Sequence, residues 1–88
     1  MSIQQKIVIG GRYRYYIPPT EYTVEEIILD ATNEEKTGKL PQIVIYRQEI
    51  AGIYPKGTKY ARRLDDFLSK IQFKGEKVNK FQLIENAS

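Results

Sequence analysis

Between Gly10 and Pro19 the chain reads GGRYRYYIPP, which sets Arg12 and Arg14 among Tyr13, Tyr15 and Tyr16. A guanidinium grips phosphate or carboxylate through paired hydrogen bonds, and a tyrosine ring offers a face on which a base can stack. The chemistry that suits these residue types is non-covalent: holding something flat and negatively charged. A second group of the same kind, Tyr54, Lys56, Lys59, Tyr60, Arg62 and Arg63, crowds a loop and the segment after it. Backbone amides around Gly57 would add phosphate donors there, although PKG lacks the spacing of a P-loop.

Covalent chemistry has little to work with. The chain has no histidine and no cysteine, which excludes Ser-His-Asp and Cys-His machinery, His- or Cys-ligated zinc and any disulfide framework. The acidic pairs Glu25-Glu26, Glu34-Glu35 and Asp65-Asp66 are sequence neighbours, which point to opposite faces of a strand or lie roughly 100° apart on a helix. They read as solvated surface charge rather than as a catalytic dyad. The expectation is a protein that is not an enzyme and takes no metal and no cofactor.

With 88 residues there is room for one domain and for a shallow or shared site rather than a deep pocket. Hydrophobic residues at 41% and charged residues at 28% are those of a folding, globular chain. No apolar run approaches the roughly 18 residues that span a bilayer, and MSIQQKIVIGG lacks the apolar region and cleavage site of a signal peptide, so the cytoplasm is the expected location, with no membrane partner. The net charge is only +3, but it is unevenly placed: Lys6, Arg12 and Arg14 stand without an acid before residue 21, residues 21–36 carry six acids against Lys36, and residues 37–63 carry six cations against Glu49. Two basic blocks separated by an acidic one matter for an anionic partner if folding brings the basic blocks together.

The elements that would position these residues are mostly strands. Lys6 to Ile9 and Arg12 to Ile17 read as strands separated by Gly10-Gly11, the second ended by Pro18-Pro19. Thr23 with Glu26 three residues on has capping-box spacing and argues for a helix from Val24 to about Asn33. Tyr22, Val24, Ile27 and Ile28 equally suit a strand that turns through NEEKTGK into a second strand, Ile43 to Glu49. AGIYPKGTK is a loop. Leu64, Phe67, Leu68 and Ile71 fall at helical spacing and predict a helix of about two turns, and the remainder forms a terminal hairpin around KGEK.

GRYRYY, EYTV, KTGK, IVIYRQ, YARRLDDFL and VNKF follow the order and spacing of a small bacterial and phage family, domain of unknown function 1653, which the chain resembles from Gly11 to Phe81. Gly11, Tyr13, Tyr16, Tyr22, Val24, Thr37, Gly38, Val44, Tyr46, Arg47, Arg62, Phe67 and Phe81 agree with its pattern. Tyr15 stands at its histidine, Ile17-Pro18 at its lysine-glycine, Tyr60 at its tryptophan and Arg63 at its proline. The resemblance implies a small SH3-like β-barrel or roll with one short helix and favours strand for the Thr23 segment. It supplies no activity.

In a strand, Arg12, Arg14 and Tyr16 face one way and Tyr13, Tyr15 and Ile17 the other, so one face can fill the core while the other presents two guanidiniums beside a ring. The candidate binding residues are Arg12, Arg14, Tyr16, Arg47, Tyr60, Arg62 and Arg63, of which all but Arg47 are expected to contribute to one site because the first strand and the segment after the long loop lie close together in SH3-like topologies. Arg62 has a competing reading as a structural partner of Glu49 or Asp66. The expected function is the binding of an anionic, base-bearing, nucleotide-like molecule, with sequestration in the manner of a phage counter-defence protein as one form of it. A nucleic-acid-binding barrel and a protein-interaction module are the alternatives. Seven tyrosines and three phenylalanines exceed the needs of so small a core, which predicts a homo-oligomer.

Overall fold

The computed structural model describes residues 7–17 and 20–86. Seven strands and one helical turn follow in the order β1 (Arg12–Tyr15), β2 (Thr20–Leu29), β3 (Gln42–Gln48), β4 (Lys59–Arg63), α1 (Leu64–Phe67), β5 (Lys70–Phe73), β6 (Glu76–Asn79) and β7 (Phe81–Glu85). The fold is mainly β, with one short helix and antiparallel pairing throughout. One sheet runs β4-β3-β2-β1-β7 and a separate hairpin pairs β5 with β6. A four-strand meander followed by a helical turn and a last strand returning beside the first is the strand order of an SH3-like roll, here with the β5–β6 hairpin interposed. Strands β4 and β7 end the sheet without pairing to each other.

Period-two alternation sorts the side chains. Register places Tyr13 opposite Tyr22 and Leu83, Tyr15 opposite Phe81, Val24 opposite Tyr46, and Tyr46 opposite Tyr60. All of these therefore share the inner face, and the core is Tyr13, Val24, Val44, Tyr46, Phe67 and Phe81. The helical turn contributes Phe67, whose ring stacks on Phe81 at 4.2 Å and meets the edge of Tyr13 at 5.1 Å. Gly11 is needed for packing: a Cβ there would meet Val8 and Leu83 at 3.0 to 3.1 Å.

Three expectations are corrected. Ile7 and Val8 form no strand, and Lys6 lies outside the described residues, as do Pro18 and Pro19. Instead the Val8 N–H donates to the Tyr13 hydroxyl at 3.0 Å. The predicted two-turn helix stops after Phe67, because Ser69 Oγ donates to the Asp66 carbonyl at 2.6 Å while the Ser69 carbonyl accepts the Lys80 N–H at 3.0 Å, turning the chain into β5. Tyr16 lies beyond the end of β1, so it does not follow that strand's alternation. The Thr23 segment is a strand: Thr23 Oγ1 donates across the sheet to Glu49 instead of capping a helix. The hairpin read at KGEK is present, turning at Lys74 and Gly75 with φ of 51° and 83°, the left-handed pair that a two-residue turn between twisted strands needs.

Tyr13→Ala, which leaves a cavity in this core, is expected to cost about 3 to 5 kcal/mol, taking phenylalanine as the nearest analogue. Tyr13→Phe keeps the ring but removes the acceptor of the Val8 N–H, at about 1 to 3 kcal/mol. Arg14→Ala, on the opposite face, should leave the urea midpoint near that of the parent. Urea unfolding of the three variants checks the assignment of faces.

Candidate functional site

Each strand of the large sheet delivers a ring to one end of the inner face. Tyr15 from β1, Tyr22 from β2, Tyr46 from β3, Tyr60 and Arg62 from β4 and Phe81 from β7 line a cavity of about 190 Å³. Tyr22 sets its edge against Tyr46 at 5.2 Å and against Tyr60 and Phe81 at 5.9 Å, while Tyr46 and Tyr60 stack at 5.4 Å. Alternation puts Arg62 on this face, two residues after Tyr60. Its guanidinium carbon lies 5.2 Å from the centre of the Phe81 ring, its Nε donates to the Tyr46 hydroxyl at 3.1 Å, and its Nη1 pairs with Asp66 Oδ2 at 2.5 Å. The other oxygen, Oδ1, accepts from Lys80 Nζ at 2.8 Å.

The rim is tied to the core through Gln48, which is 4% exposed. Its amide oxygen accepts from the Tyr60 hydroxyl, and its Nε2 donates to the carbonyls of Ile50 at 2.7 Å and Tyr54 at 3.2 Å. One buried amide therefore fixes both a pocket tyrosine and the loop beside it.

Burial raises the pKa of Tyr46, Tyr15 and Tyr60, so the pocket presents neutral hydroxyls at neutral pH. Burial works against the charge of Arg62, and the hydrogen bonds to Tyr46 and Asp66 outweigh it, leaving its pKa above the ordinary arginine value. The hydrogen bonds from Lys80 and then Arg62 hold Asp66 below the usual carboxylate range. Such a site can stack a flat ring and hold an anion. Among the described residues, no group of His, Cys, Asp or Glu is placed to hold a metal ion.

Sheet parity separates the seven residues picked out in the sequence. Tyr60 and Arg62 line the cavity, and Tyr16, just past the end of β1, flanks it with its ring on Tyr15 at 4.9 Å and Phe73 at 5.5 Å. Arg12, Arg14, Arg47 and Arg63 face the other side of the sheet, and β2 and β3 stand between β1 and β4. The expected convergence of Arg12 and Arg14 with Tyr60, Arg62 and Arg63 is thus corrected. On the outer face Arg12 and Arg14 pair with Glu21 at 2.6 and 3.2 Å, Arg47 with Glu25 at 2.9 Å and Glu49 at 3.0 Å, and Arg63 with Asp65 at 3.2 Å. Of the two partners anticipated for Arg62, it takes Asp66.

Sequence reasoning did not place Tyr15, Tyr22, Tyr46, Phe81 and Lys80 in the site, and it anticipated Asp66 only as a structural partner of Arg62. The available signal was alternation with the core: Tyr15 is two residues from Tyr13, Tyr22 from Val24 and Tyr46 from Val44. A larger groove of about 590 Å³ lies elsewhere, between Leu29, Leu40, Pro41, Leu64 and Leu68. Its lining charges, Glu35, Lys39, Arg63 and Asp65, balance, with Arg63 paired to Asp65, and it has no aromatic ring. The smaller cavity has the better chemistry for recognition.

No family model matches the chain, and neither a curated protein nor a solved structure matches it. The likeness to domain of unknown function 1653 therefore rests on the short motifs quoted above and carries no functional residue into this site.

Two pH effects follow. The depressed pKa of Asp66 means that its contribution is complete above the unfolded carboxylate value and is lost as pH falls through the folded one, so stability should decline in acid, less steeply in Asp66→Asn. The raised tyrosine values have the opposite sign: their contribution is complete below the unfolded phenol value near 10 and is lost as pH rises through the folded ones. Urea midpoints across the acid range, and tyrosinate absorbance during alkaline unfolding, measure the two limbs.

Proposed function

We propose that this protein is a non-catalytic binding protein for an anionic ligand carrying a flat, base-like ring, a nucleotide-type small molecule. The observation that supports this reading most is the convergence of five aromatic rings and one guanidinium on a single cavity. At about 190 Å³ the cavity is smaller than the roughly 300 Å³ and upward typical of sites that enclose a whole ligand. One ring enters and stacks on tyrosine, while the anionic part stays at the rim, within reach of Arg62. The outer-face arginines Arg12, Arg14 and Arg47 lie across the sheet from these rings, which argues against that face as the site for a ring-bearing anion.

Native mass spectrometry of the protein with nucleoside monophosphates tests the reading directly, followed by titration of variants. Tyr22→Ala should weaken binding by about 1 to 3 kcal/mol, the range for base stacking. Arg62→Ala should weaken it by about 1.5 to 3 kcal/mol, the range for a hydrogen bond to a charged group. Arg14→Ala should bind as the parent does. Loss of binding in Arg14→Ala with none in Tyr22→Ala would move the site to the outer face, and a steep fall of affinity with salt would point to a nucleic-acid strand instead.

We also propose that the chain self-associates. The loop beside the pocket leaves Ile53 99% and Tyr54 58% exposed, apolar surface that a soluble chain tends to cover. Sedimentation at tens of micromolar should show an oligomer, and Ile53→Ser should shift it toward monomer.

A further inference from the structure

Asp66 occupies an unusual place for a surface carboxylate. Arg62 Nη1 lies 2.5 Å from one of its oxygens and Lys80 Nζ 2.8 Å from the other. The two cations are the more buried members, with side chains 33% and 17% exposed, against 40% for Asp66. The carboxylate thus sits on the solvent side of a two-cation seat, where a bound anion would sit. Arg62 is at once a wall of the aromatic cavity and half of this seat, so the seat adjoins the place of the ring. The seat keeps a surplus positive charge even with Asp66 in it.

We propose that the Asp66 carboxylate is an internal occupant of the anion seat, and that a ligand binds by displacing it, placing a phosphate or carboxylate on Arg62 and Lys80 while its ring enters the cavity. The inference rests on the reading of the cavity as a ring-binding site and adds the seat, its second cation and the competition. Asp66 sets the threshold for binding: a neutral ring cannot displace it, and an anionic ring must pay to do so. The ligand class narrows to rings carrying an anionic group that can reach the seat while the ring is in the cavity.

The test compares the parent, Asp66→Asn and Lys80→Gln, titrated with adenosine monophosphate and with uncharged adenosine, and with a thermal melt of each. Removing the competing charge should tighten adenosine monophosphate binding by roughly tenfold in Asp66→Asn and leave adenosine unchanged. Lys80→Gln should weaken adenosine monophosphate and leave adenosine unchanged. Should Asp66→Asn melt too low to be titrated, Lys80→Gln decides alone: unchanged binding of adenosine monophosphate overturns the proposal. Asp66→Asn that folds and binds adenosine monophosphate no better than the parent also overturns it, leaving Asp66 a structural partner only. In either case the ring-site reading survives if the parent binds and Tyr22→Ala does not. If the parent and both variants bind neither probe, both readings fall.

Discussion

The two edges of the large sheet, β4 and β7, share no ladder of hydrogen bonds, and the side chain that joins them is Phe81. Its ring stacks on Phe67 from the helical turn, packs against Tyr15 at 5.0 Å and Tyr46 at 5.6 Å, and lies beneath the guanidinium of Arg62 from the far edge. Aromatic pairs of this kind contribute about 0.5 to 1.5 kcal/mol each beyond the area they bury. In a chain too short for a large core, such contacts carry much of the closure. Phe81 also lines the cavity, so the candidate site is continuous with the core. A change that opens the cavity also loosens the roll.

The other side of the sheet follows a different logic. Register lines up Arg12, Thr23, Arg47 and Lys59 across four strands, with Glu21, Glu25 and Glu49 distributed among them. Each pair is partly exposed to water and adds little to stability. Its effect is to keep the outer cations engaged and the face hydrated. Along β4, the end strand of the sheet among the described residues, Lys59, Arg62 and Arg63 supply charge of the kind that discourages another strand from adding there.

The alternation in RYRYY correctly sends the arginines and the alternate tyrosines to opposite faces, and the hairpin around Lys74 and Gly75 is equally readable. The position of one strand's faces relative to another's is not, because it depends on register, and register is set by partners many residues away. This is why Arg14 and Arg62, both basic and both on strands, were expected together but lie on opposite sides. The helix from Leu64 was overextended because Leu68 and Ile71 keep helical spacing, whereas Ile71 in fact pairs with Val78 in β5–β6. The capping-box spacing at Thr23 was overridden by the cross-strand partner Glu49. Local patterns named the elements; long-range pairing decided which residues meet.

Strand β1 takes one partner from nearby in sequence, β2, and the other, β7, from the opposite end of the described chain, with Arg12 opposite Glu85. During synthesis, which proceeds at about 5 to 20 residues per second, the meander from β1 to β4 can therefore assemble while one side of β1 is still bare. A chain that ends before Phe81 has an open strand edge on β1 and lacks one ring of the aromatic cavity, an adhesive species rather than a merely incomplete one. The same topology attaches the last strand to the sheet through β1 alone among the described strands.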